Sequence, residues 1–346
     1  MIKQEANIYE IAKEAGVSIA TVSRVMNHST TVSEKNTERV LAAVKKLNYV
    51  PNIAARSLST STSTSVGVVI PDISNPFFSQ LLEGITLAAD EMGLNIFLFG
   101  TKENSEREHR VLDSMREHRL RGVIITPVSA VDGETLQRLH NFETLGIPVV
   151  LLDREIDSST FDRVVTADDE GVFLAVNELI RIGHRRIAII TGPEASRPGH
   201  ERLRGYCRAL TENGIPLRED YIRKGDFMVQ RACEETLAVC RLPEPPTAIF
   251  ASNNMTTYGC LKAFAELDLR VGEDIALVGF DDIDELRWLN YNISVVSRDV
   301  PKMGEQAMRL LMRRFENEIR SEQGTRTCLP TELILRGSER LPKKMR

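Results

Sequence analysis

The chain has 346 residues, of which 42% are hydrophobic, and a formal net charge of −5. This is a globular composition, and the length predicts two or three domains. The chain shows neither an early apolar stretch with a cleavage site nor a run of about 18 apolar residues, so we expect no secretion signal and no membrane span. Its five cysteines form no CxxC pair, which argues against a disulfide framework or a zinc site and favours a reducing cytoplasm.

The charge is unevenly distributed along the chain. Residues 1–65 contain eight Lys and Arg against five Glu, a net charge of +3, which leaves −8 for the remainder. A basic head on an acidic body is typical of a protein whose head meets a polyanion. A charge of this size also fits an ordinary local fluctuation in composition.

The head is predicted to be all-helical. Asn7 can cap a first helix that Gly16 ends, and Ser18 and Ser33 can cap a second and a third. Only about three residues around Gly16 separate the first two helices, as in a helix-turn-helix. Apolar residues recur at helical spacing in each segment: Ile8, Ile11, Ala12 and Ala15; Val22, Val25 and Met26; Val40, Leu41, Val44 and Leu47.

The second helix carries side chains suited to DNA. In a helix-turn-helix this helix enters the major groove. Ile19 and Ala20 at its start can contact a thymine methyl group, and Arg24, one turn further, can donate two hydrogen bonds to guanine. An amphipathic helix in a small bundle, without DNA, is the alternative. Short polar side chains for phosphate contacts are Ser18, Thr21, Ser23 and Asn27.

Residues 50–65 are predicted to form a hinge and a linker, and from residue 66 the pattern changes. Pro51 can begin a short helix, and a Ser/Thr run follows to Ser65. Short β-rich runs then alternate with amphipathic helical stretches. The strands are predicted at 66–71, 95–100, 122–128, 148–153, 186–192, 248–253 and 275–282, and the helices include 77–92, 105–119, 170–182 and 201–213.

This alternation predicts an α/β fold with parallel sheets covered by helices on both faces. We expect a helix-turn-helix head at 1–49, a hinge helix and linker at 50–65, and a body of two doubly wound lobes at 66–340. The chain is expected to cross between the lobes near residues 165 and 293. No heptad tail follows, so nothing favours a tetramer.

Two head segments, "IYEIAKEAGVSIATVSRVMN" and "VSEKNTERVLAAVKKLNYVPNIAARSL", resemble the LacI/GalR family of bacterial transcription regulators. The resemblance is almost continuous over residues 7–58 and extends through "GVVIPDISNPFFSQLLEGI", "LIRIGHRRIAIITGP" and "VGFDDI". It implies a helix-turn-helix head, a hinge helix, and a periplasmic-binding-protein-like body that dimerises and binds a small sugar-like effector. We expect no cofactor, metal or catalytic residue.

The resemblance also assigns a role to the hinge. In this family, the hinge helices of two subunits pair over the minor groove, and a leucine wedges into the central base step. The matching residue is Leu58, although it can instead pack against its own domain. Residues 59–65 lack the basic side chains often seen at this point in the family. The other candidate DNA contacts are Asn7, Tyr9, Asn52, Ala54 and Ala55.

The effector site is expected in the cleft where the strand C-termini of both lobes meet. Aromatic faces can stack on a sugar ring, while amide, carboxylate and guanidinium groups bond its hydroxyls. The matching positions are Asn75, Phe77, Phe78, Asp153, Arg154, Arg202, Asn253, Asp281 and Arg298.

Three departures from the family pattern bear on the ligand: Asn254 replaces an acid, Thr257 an alanine and Arg298 a glutamine. Additional arginine with one acid fewer favours an anionic ligand, such as a sugar acid or a sugar phosphate. A neutral sugar fits equally well if Arg298 pairs with Asp281 or Asp282.

The favoured function is a homodimeric, sequence-specific regulator, with repression preferred, that binds a palindromic operator and is controlled by the effector. Inducer and corepressor modes both remain open. The first alternative is a solute-binding protein, which would share the body but need a secretion signal and no residues 1–58. The second is an enzyme built on the acids of "FDDIDE", for which solvated loop carboxylates are the simpler explanation.

Overall fold

The computed structural model describes residues 7–26, 31–49, 63–118, 120–316 and 323–342. The chain divides into two compact units, residues 1–63 and 64–346, which we call the head and the body. Within the described ranges, no helix has the length and apolar character needed to cross a bilayer.

The described part of the head contains three helices, α1 (Ile8–Ala15), α2 (Ile19–Met26) and α3 (Glu34–Leu47). The Asn7 side chain accepts hydrogen bonds from the backbone N–H groups of Tyr9 and Glu10, and the Glu10 carboxylate accepts from the Asn7 N–H. This capping box begins α1. Gly16, with φ of 61°, ends it in the left-handed conformation that glycine adopts most readily.

The head core follows the predicted apolar stripes, with one correction to a stripe and one to a predicted helix cap. Ile11, Val22 and Val40 are fully buried. Leu41 is 53% exposed, because it lies about 100° around α3 from Val40 and off the buried face. Ser33 occupies the N-cap position of α3, but its hydroxyl makes no capping bond.

The described part of the body contains two six-stranded sheets with the same strand order. Sheet 1 runs β11-β5-β4-β3-β1-β2 and sheet 2 runs β12-β10-β9-β8-β6-β7. Every pairing is parallel except β10 with β12. The strands are β1 (Ser65–Ile70), β2 (Asn95–Gly100), β3 (Gly122–Ile125), β4 (Val149–Leu152), β5 (Asp162–Thr166), β6 (Ile187–Thr191), β7 (Ile222–Lys224), β8 (Ala248–Ala251), β9 (Ala276–Phe280), β10 (Ser294–Arg298), β11 (Arg326–Leu329) and β12 (Thr331–Ile334).

Helices cover both faces of each sheet, as the strand–helix alternation predicts. A 3₁₀ turn, Glu219–Tyr221, precedes β7. The body helices are α4 (Pro76–Glu91), α5 (Ser105–Met115), α6 (Gly133–Thr144), α7 (Asp168–Ile182), α8 (Arg197–Glu212), α9 (Val229–Cys240), α10 (Asn254–Glu266), α11 (Asp284–Trp288) and α12 (Val300–Phe315).

Three short segments connect lobe 1, built on sheet 1, with lobe 2, built on sheet 2. The chain crosses at Ala167 after β5, at Asp299 after β10 and at Pro330 between β11 and β12. The expectation of two crossings, near 165 and 293, did not include the third. It also placed the second several residues early, because β10 continues to Arg298 before α12 returns to the core of lobe 1.

Close packing of α4 on α12 places the start of α4 at the cleft. A Cβ atom at Gly84 would lie 1.8 Å from the Pro301 carbonyl oxygen, and one at Gly304 would lie 2.2 Å from that of Leu81. Only glycine permits this approach. Asn75 caps the N-terminus of α4, so its position follows from the contact between the two helices.

Candidate functional site

The outward face of α2 presents the side chains expected to read DNA. Ile19 is 42% exposed, and Ala20 and Arg24 are also exposed. Among the described residues, no carboxylate lies within ion-pair distance of Arg24. The Arg24 guanidinium is therefore available to a partner. The Ser18 and Thr21 hydroxyls, by contrast, lie 2.9 Å apart and bond to each other.

The remaining predicted DNA contacts divide into two groups. Tyr9 is 68% exposed, Ser23 is half-buried, and the Asn7 side chain is occupied in capping α1. The other predicted contacts lie outside the described residues; these are Asn27, Asn52, Ala54, Ala55 and Leu58.

A cavity of about 290 Å³ lies between the two lobes, at the carboxyl ends of their strands. The nine predicted effector residues all line it. Six further residues line it that sequence reasoning missed: Asp72, Lys102, Glu103, Pro198, Phe227 and Met228. The volume lies just below the range of about 300–1,000 Å³ that is typical of small-molecule sites. It suits a ligand of monosaccharide size.

Aromatic side chains form the apolar part of the wall. Phe77 and Phe78 pack edge to face with ring centroids 4.9 Å apart, and both are nearly buried. The Arg298 guanidinium lies 4.1 Å from the centroid of Phe77, so one face of that ring is already occupied. Phe78 and Phe227 are the better candidates for stacking on a ligand.

Arg298 lies between two carboxylates from opposite lobes. Its Nε and Nη1 atoms lie 2.7 Å from Asp281 Oδ1 and 2.6 Å from Asp153 Oδ1, and its side chain is 2% exposed. Burial disfavours the charged guanidinium, but the nearby Asp281, Asp153 and Asp168 outweigh it and raise the pKa of Arg298. Arg298 is therefore a permanent cation with its charge already neutralised.

Arg154 is also held by the protein through both terminal nitrogen atoms, while its buried Nε makes no hydrogen bond. It makes two bonds of 2.7 Å to Glu103 and donates to the carbonyl groups of Pro127 and Val128. Burial opposes its charge, but Glu103 raises the pKa of Arg154 overall. This pair is held on lobe 1, where Glu103 adopts a φ of 52°.

Arg202, like Arg154, has one buried nitrogen atom without a hydrogen-bond partner. Nε donates to Asp168 at 2.9 Å and Nη1 to the Ser252 carbonyl at 2.5 Å, while the buried Nη2 has no bond. The guanidinium stacks on Phe280, 3.5 Å from the ring centroid. Burial lowers the pKa of Arg202 despite the opposing effect of Asp168. Nη2 is therefore a buried donor without an acceptor, in a residue that lines the cavity.

The cavity lining carries no net formal charge. Asp72, Glu103, Asp153 and Asp281 balance Lys102, Arg154, Arg202 and Arg298, and Asp168 behind Arg202 adds one further acid. Three of the four acids of "FDDIDE" are also paired: Asp281 with Arg298, Asp282 with Arg336 and Asp284 with Arg287. In the described parts of the chain, no group of three or more His, Cys, Asp or Glu residues could hold a metal ion.

Comparison with known proteins identifies the family of the chain. Residues 7–52 match the model of bacterial regulatory proteins of the lacI family, and residues 176–339 match a periplasmic binding protein-like domain. Catabolite control protein A of Priestia megaterium is 33% identical over 313 residues, 90% of this chain and 93% of that protein. The chain belongs to the LacI family.

Solved structures agree with this assignment. The Lac repressor dimer bound to operator and the anti-inducer ONPF matches with a TM-score of 0.86 and 27% identity, over 97% of this chain and all of that one. The regulator CelR in complex with cellobiose matches with a TM-score of 0.72 and 28% identity, over 96% of this chain and all of that one. This LacI-family member is thus a DNA-binding transcriptional repressor with an effector-binding domain, and not an enzyme.

Proposed function

We propose that this repressor acts in the cytoplasm as a homodimer on a palindromic operator, and that a small neutral polyhydroxylated ligand, such as a monosaccharide, controls it. One observation carries the ligand class: all three cleft arginines are paired with carboxylates. The pairing supports the neutral alternative over a sugar acid or a sugar phosphate. An anion would have to compete with Asp153, Asp168, Asp281 or Glu103 for a guanidinium.

The remaining polar groups suit hydroxyls. Arg202 Nη2 can donate to a ring or hydroxyl oxygen, while the carboxylates of Asp72 and Asp153 and the amide of Asn253 can bond hydroxyl groups. Aromatic walls can cover the apolar face of a sugar ring. CelR, a relative with the same overall fold, is known in complex with cellobiose.

The DNA contacts follow from the exposed face of α2. We infer that Arg24 donates to guanine O6 and N7, with Ile19 and Ala20 against a neighbouring thymine methyl group. One such module contacts few bases. Two modules in a symmetric dimer read both halves of a palindrome and gain affinity from being linked.

Each lobe has an exposed apolar surface that a second copy can cover. Trp288, Leu289 and Tyr291 of lobe 2 are 74%, 67% and 51% exposed. In lobe 1, Phe97 and Leu98 are 46% and 40% exposed on β2, an edge strand of sheet 1. An apolar edge strand that is left uncovered tends to cause aggregation, so we expect it to be covered. The Lac repressor bound to operator is a dimer.

Selection from a pool of random duplexes tests the DNA half of the proposal. We expect the wild-type chain to enrich one palindromic sequence, and Arg24→Ala to enrich a weaker one with a degenerate base in each half-site. Failure to bind any duplex at low ionic strength, with or without sugars, would refute the DNA role.

Calorimetric titration with matched neutral sugars, uronates and sugar phosphates tests the ligand half. Heat from a neutral sugar is expected. Asn253→Asp is the control variant, because an aspartate keeps the capping acceptor for the Thr256 N–H but loses the amide donor. Binding of uronates or phosphates alone would reverse the assignment.

A further inference from the structure

Polar contacts join the lobes at several points among the described residues, including ion pairs from Arg298 to Asp153 and from Arg197 to Glu155. Two further hydrogen bonds between the lobes join uncharged groups. Asn254 Nδ2, at the start of α10 in lobe 2, donates to Asn75 Oδ1 in lobe 1 at 2.7 Å. The Ala130 N–H of lobe 1 donates to the Ala195 carbonyl of lobe 2 at 2.9 Å. The first bond is deeply buried, since Asn75 is 7% exposed and Asn254 is 2% exposed. Asn75 lines the cavity, whereas Asn254 lies beside its lining.

The capping role of Asn75 fixes which residue types can face it. Asn75 Oδ1 also accepts the Phe77 N–H at 3.0 Å, which caps α4. The amide is therefore oriented with its oxygen towards residue 254, and residue 254 must donate. Asparagine donates, but an ionised acid only accepts. Asn254 stands where the family resemblance leads one to expect an acid.

We propose that the Asn75–Asn254 hydrogen bond is a latch that favours the closed arrangement of the lobes before any effector binds. Asn254 is thus a positioning residue. In an open cleft both amides form hydrogen bonds with water, and closure replaces these by the bond between the two side chains. The latch therefore shifts the closed-to-open ratio by only about three- to tenfold. Three short crossing segments permit such hinge motion. A ligand that selects the closed form binds more tightly when that form is more populated. This consequence for effector affinity rests on the proposed function.

The Ala130 amide provides a reporter of closure that does not involve the latch residues. Its hydrogen bond to Ala195 exists only while the lobes are together, so its hydrogen exchange measures opening. The Val123 amide in β3, which donates to Pro148 within lobe 1, serves as the reference. Exchange of both amides is measured in the full chain without sugar or DNA.

Asn254→Asp is the decisive variant. The substituted carboxylate would keep the acceptor for the Met255 N–H and would lie in the first turn of α10, where the helix dipole favours a negative charge. The substitution removes the donor to Asn75 and places a carboxylate oxygen opposite Asn75 Oδ1, where two acceptors repel each other. We expect exchange at Ala130 to accelerate about three- to tenfold in Asn254→Asp and Asn254→Ala, with no change at Val123.

Asn75→Asp is the matched control, since its carboxylate still accepts from both Asn254 and Phe77. Exchange at Ala130 should match the wild type or be slower. Wild-type exchange in Asn254→Asp would overturn the latch. Equal acceleration at Ala130 and Val123 would also overturn it, because Asn254 would then stabilise the fold and not closure.

These measurements contain no ligand, so failure of the sugar assignment would leave them unchanged. If both the latch and the sugar assignment hold, Asn254→Asp should also weaken binding of the neutral sugar, by the factor by which the closed population falls.

Discussion

The head and the cleft use the same charged side chains in opposite ways. Arg24 on α2 is exposed and has no acidic partner in the described part of the head. Arg298 and Arg202 in the cleft have side chains only 2% exposed, and each is held by buried carboxylates. One region keeps its charge available, whereas the other neutralises it.

The difference matches what each region is proposed to recognise. Binding to DNA releases counterions from the phosphates, and unpaired, solvated cations at the surface achieve this. A small neutral ligand offers no such charge, so its site needs donors and acceptors held in place beforehand. It follows that removing a charge should mainly weaken DNA binding in the head but should destabilise the fold in the cleft.

The largest effect is expected at Arg298. Arg298→Met leaves Asp153 and Asp281 close together without their shared cation, and we expect the free energy of unfolding of the body to fall by about 3–5 kcal/mol. Urea denaturation measures this loss. The triple variant with Asp153→Asn and Asp281→Asn should recover much of it, because amides do not repel each other. A loss below about 1 kcal/mol in Arg298→Met would remove the contrast between the regions.

The buried carboxyl group of Glu108 gives the second effect, which depends on pH. Glu108 is fully buried and accepts the Thr135 hydroxyl at 2.8 Å and the Val128 N–H at 2.9 Å. Burial raises its pKa to about 7, against the lowering effect of these bonds. The raised pKa means that the folded state favours the protonated acid. The contribution of Glu108 to the free energy of unfolding is therefore complete below the unfolded pKa of about 4.5 and is lost as pH rises through 7.

The contribution that disappears between these pH values amounts to about 3 kcal/mol. Glu108→Gln cannot titrate, so the difference in unfolding free energy between wild type and variant should change by that amount from about pH 4.5 to about pH 7. Urea denaturation at several pH values measures it. Parallel curves for the two proteins would mean that Glu108 is not protonated in the folded chain at neutral pH.

The third effect concerns binding and not folding. Arg24→Ala should weaken operator binding by about 1–3 kcal/mol and relax selectivity at one base of each half-site. Fluorescence anisotropy on the selected duplex and its single-base variants measures both. The melting temperature should stay unchanged, because an exposed side chain contributes little to stability. Arg24→Lys, which keeps the charge but loses the planar fork, should behave like Arg24→Ala in selectivity. Equal losses on all sequences would indicate phosphate contact only.

The parts of the fold that sequence reveals are those with continuous apolar runs. All seven predicted strands are present, as β1–β4, β6, β8 and β9. The five missed strands are short or interrupted by polar residues, as in "DRVVT", "IRK" and "TELI". All five lie at or next to a sheet edge, where one side of the strand can remain polar.

The cleft shows the same limit. Residues that directly follow apolar strands, such as Asp153 and Asp281, are located by the pattern and the family resemblance together. Lys102, Glu103 and Phe227 were missed, because they lie in loops with φ between 52° and 58° and no periodicity leads to them. The sequence left open whether Arg298 pairs internally, and it contained no sign of the pairing with Asp153, which is 145 residues away.

The smallest expected effect tests the comparison with an ion pair in the head. Lys46 Nζ lies 2.7 Å from Glu14 Oε1, and the two side chains are 68% and 38% exposed. Exposed pairs of this kind stabilise proteins by about 0–1 kcal/mol, because water and salt screen them and both side chains lose freedom. Glu14→Gln should therefore destabilise the head by less than about 0.5 kcal/mol, as measured by hydrogen exchange at Val40, which is fully buried in the head core. The two ion pairs have comparable N–O distances but differ in exposure to solvent. A loss as large as that expected for Arg298→Met would therefore mean that burial does not account for the difference in stabilisation between the cleft and the head.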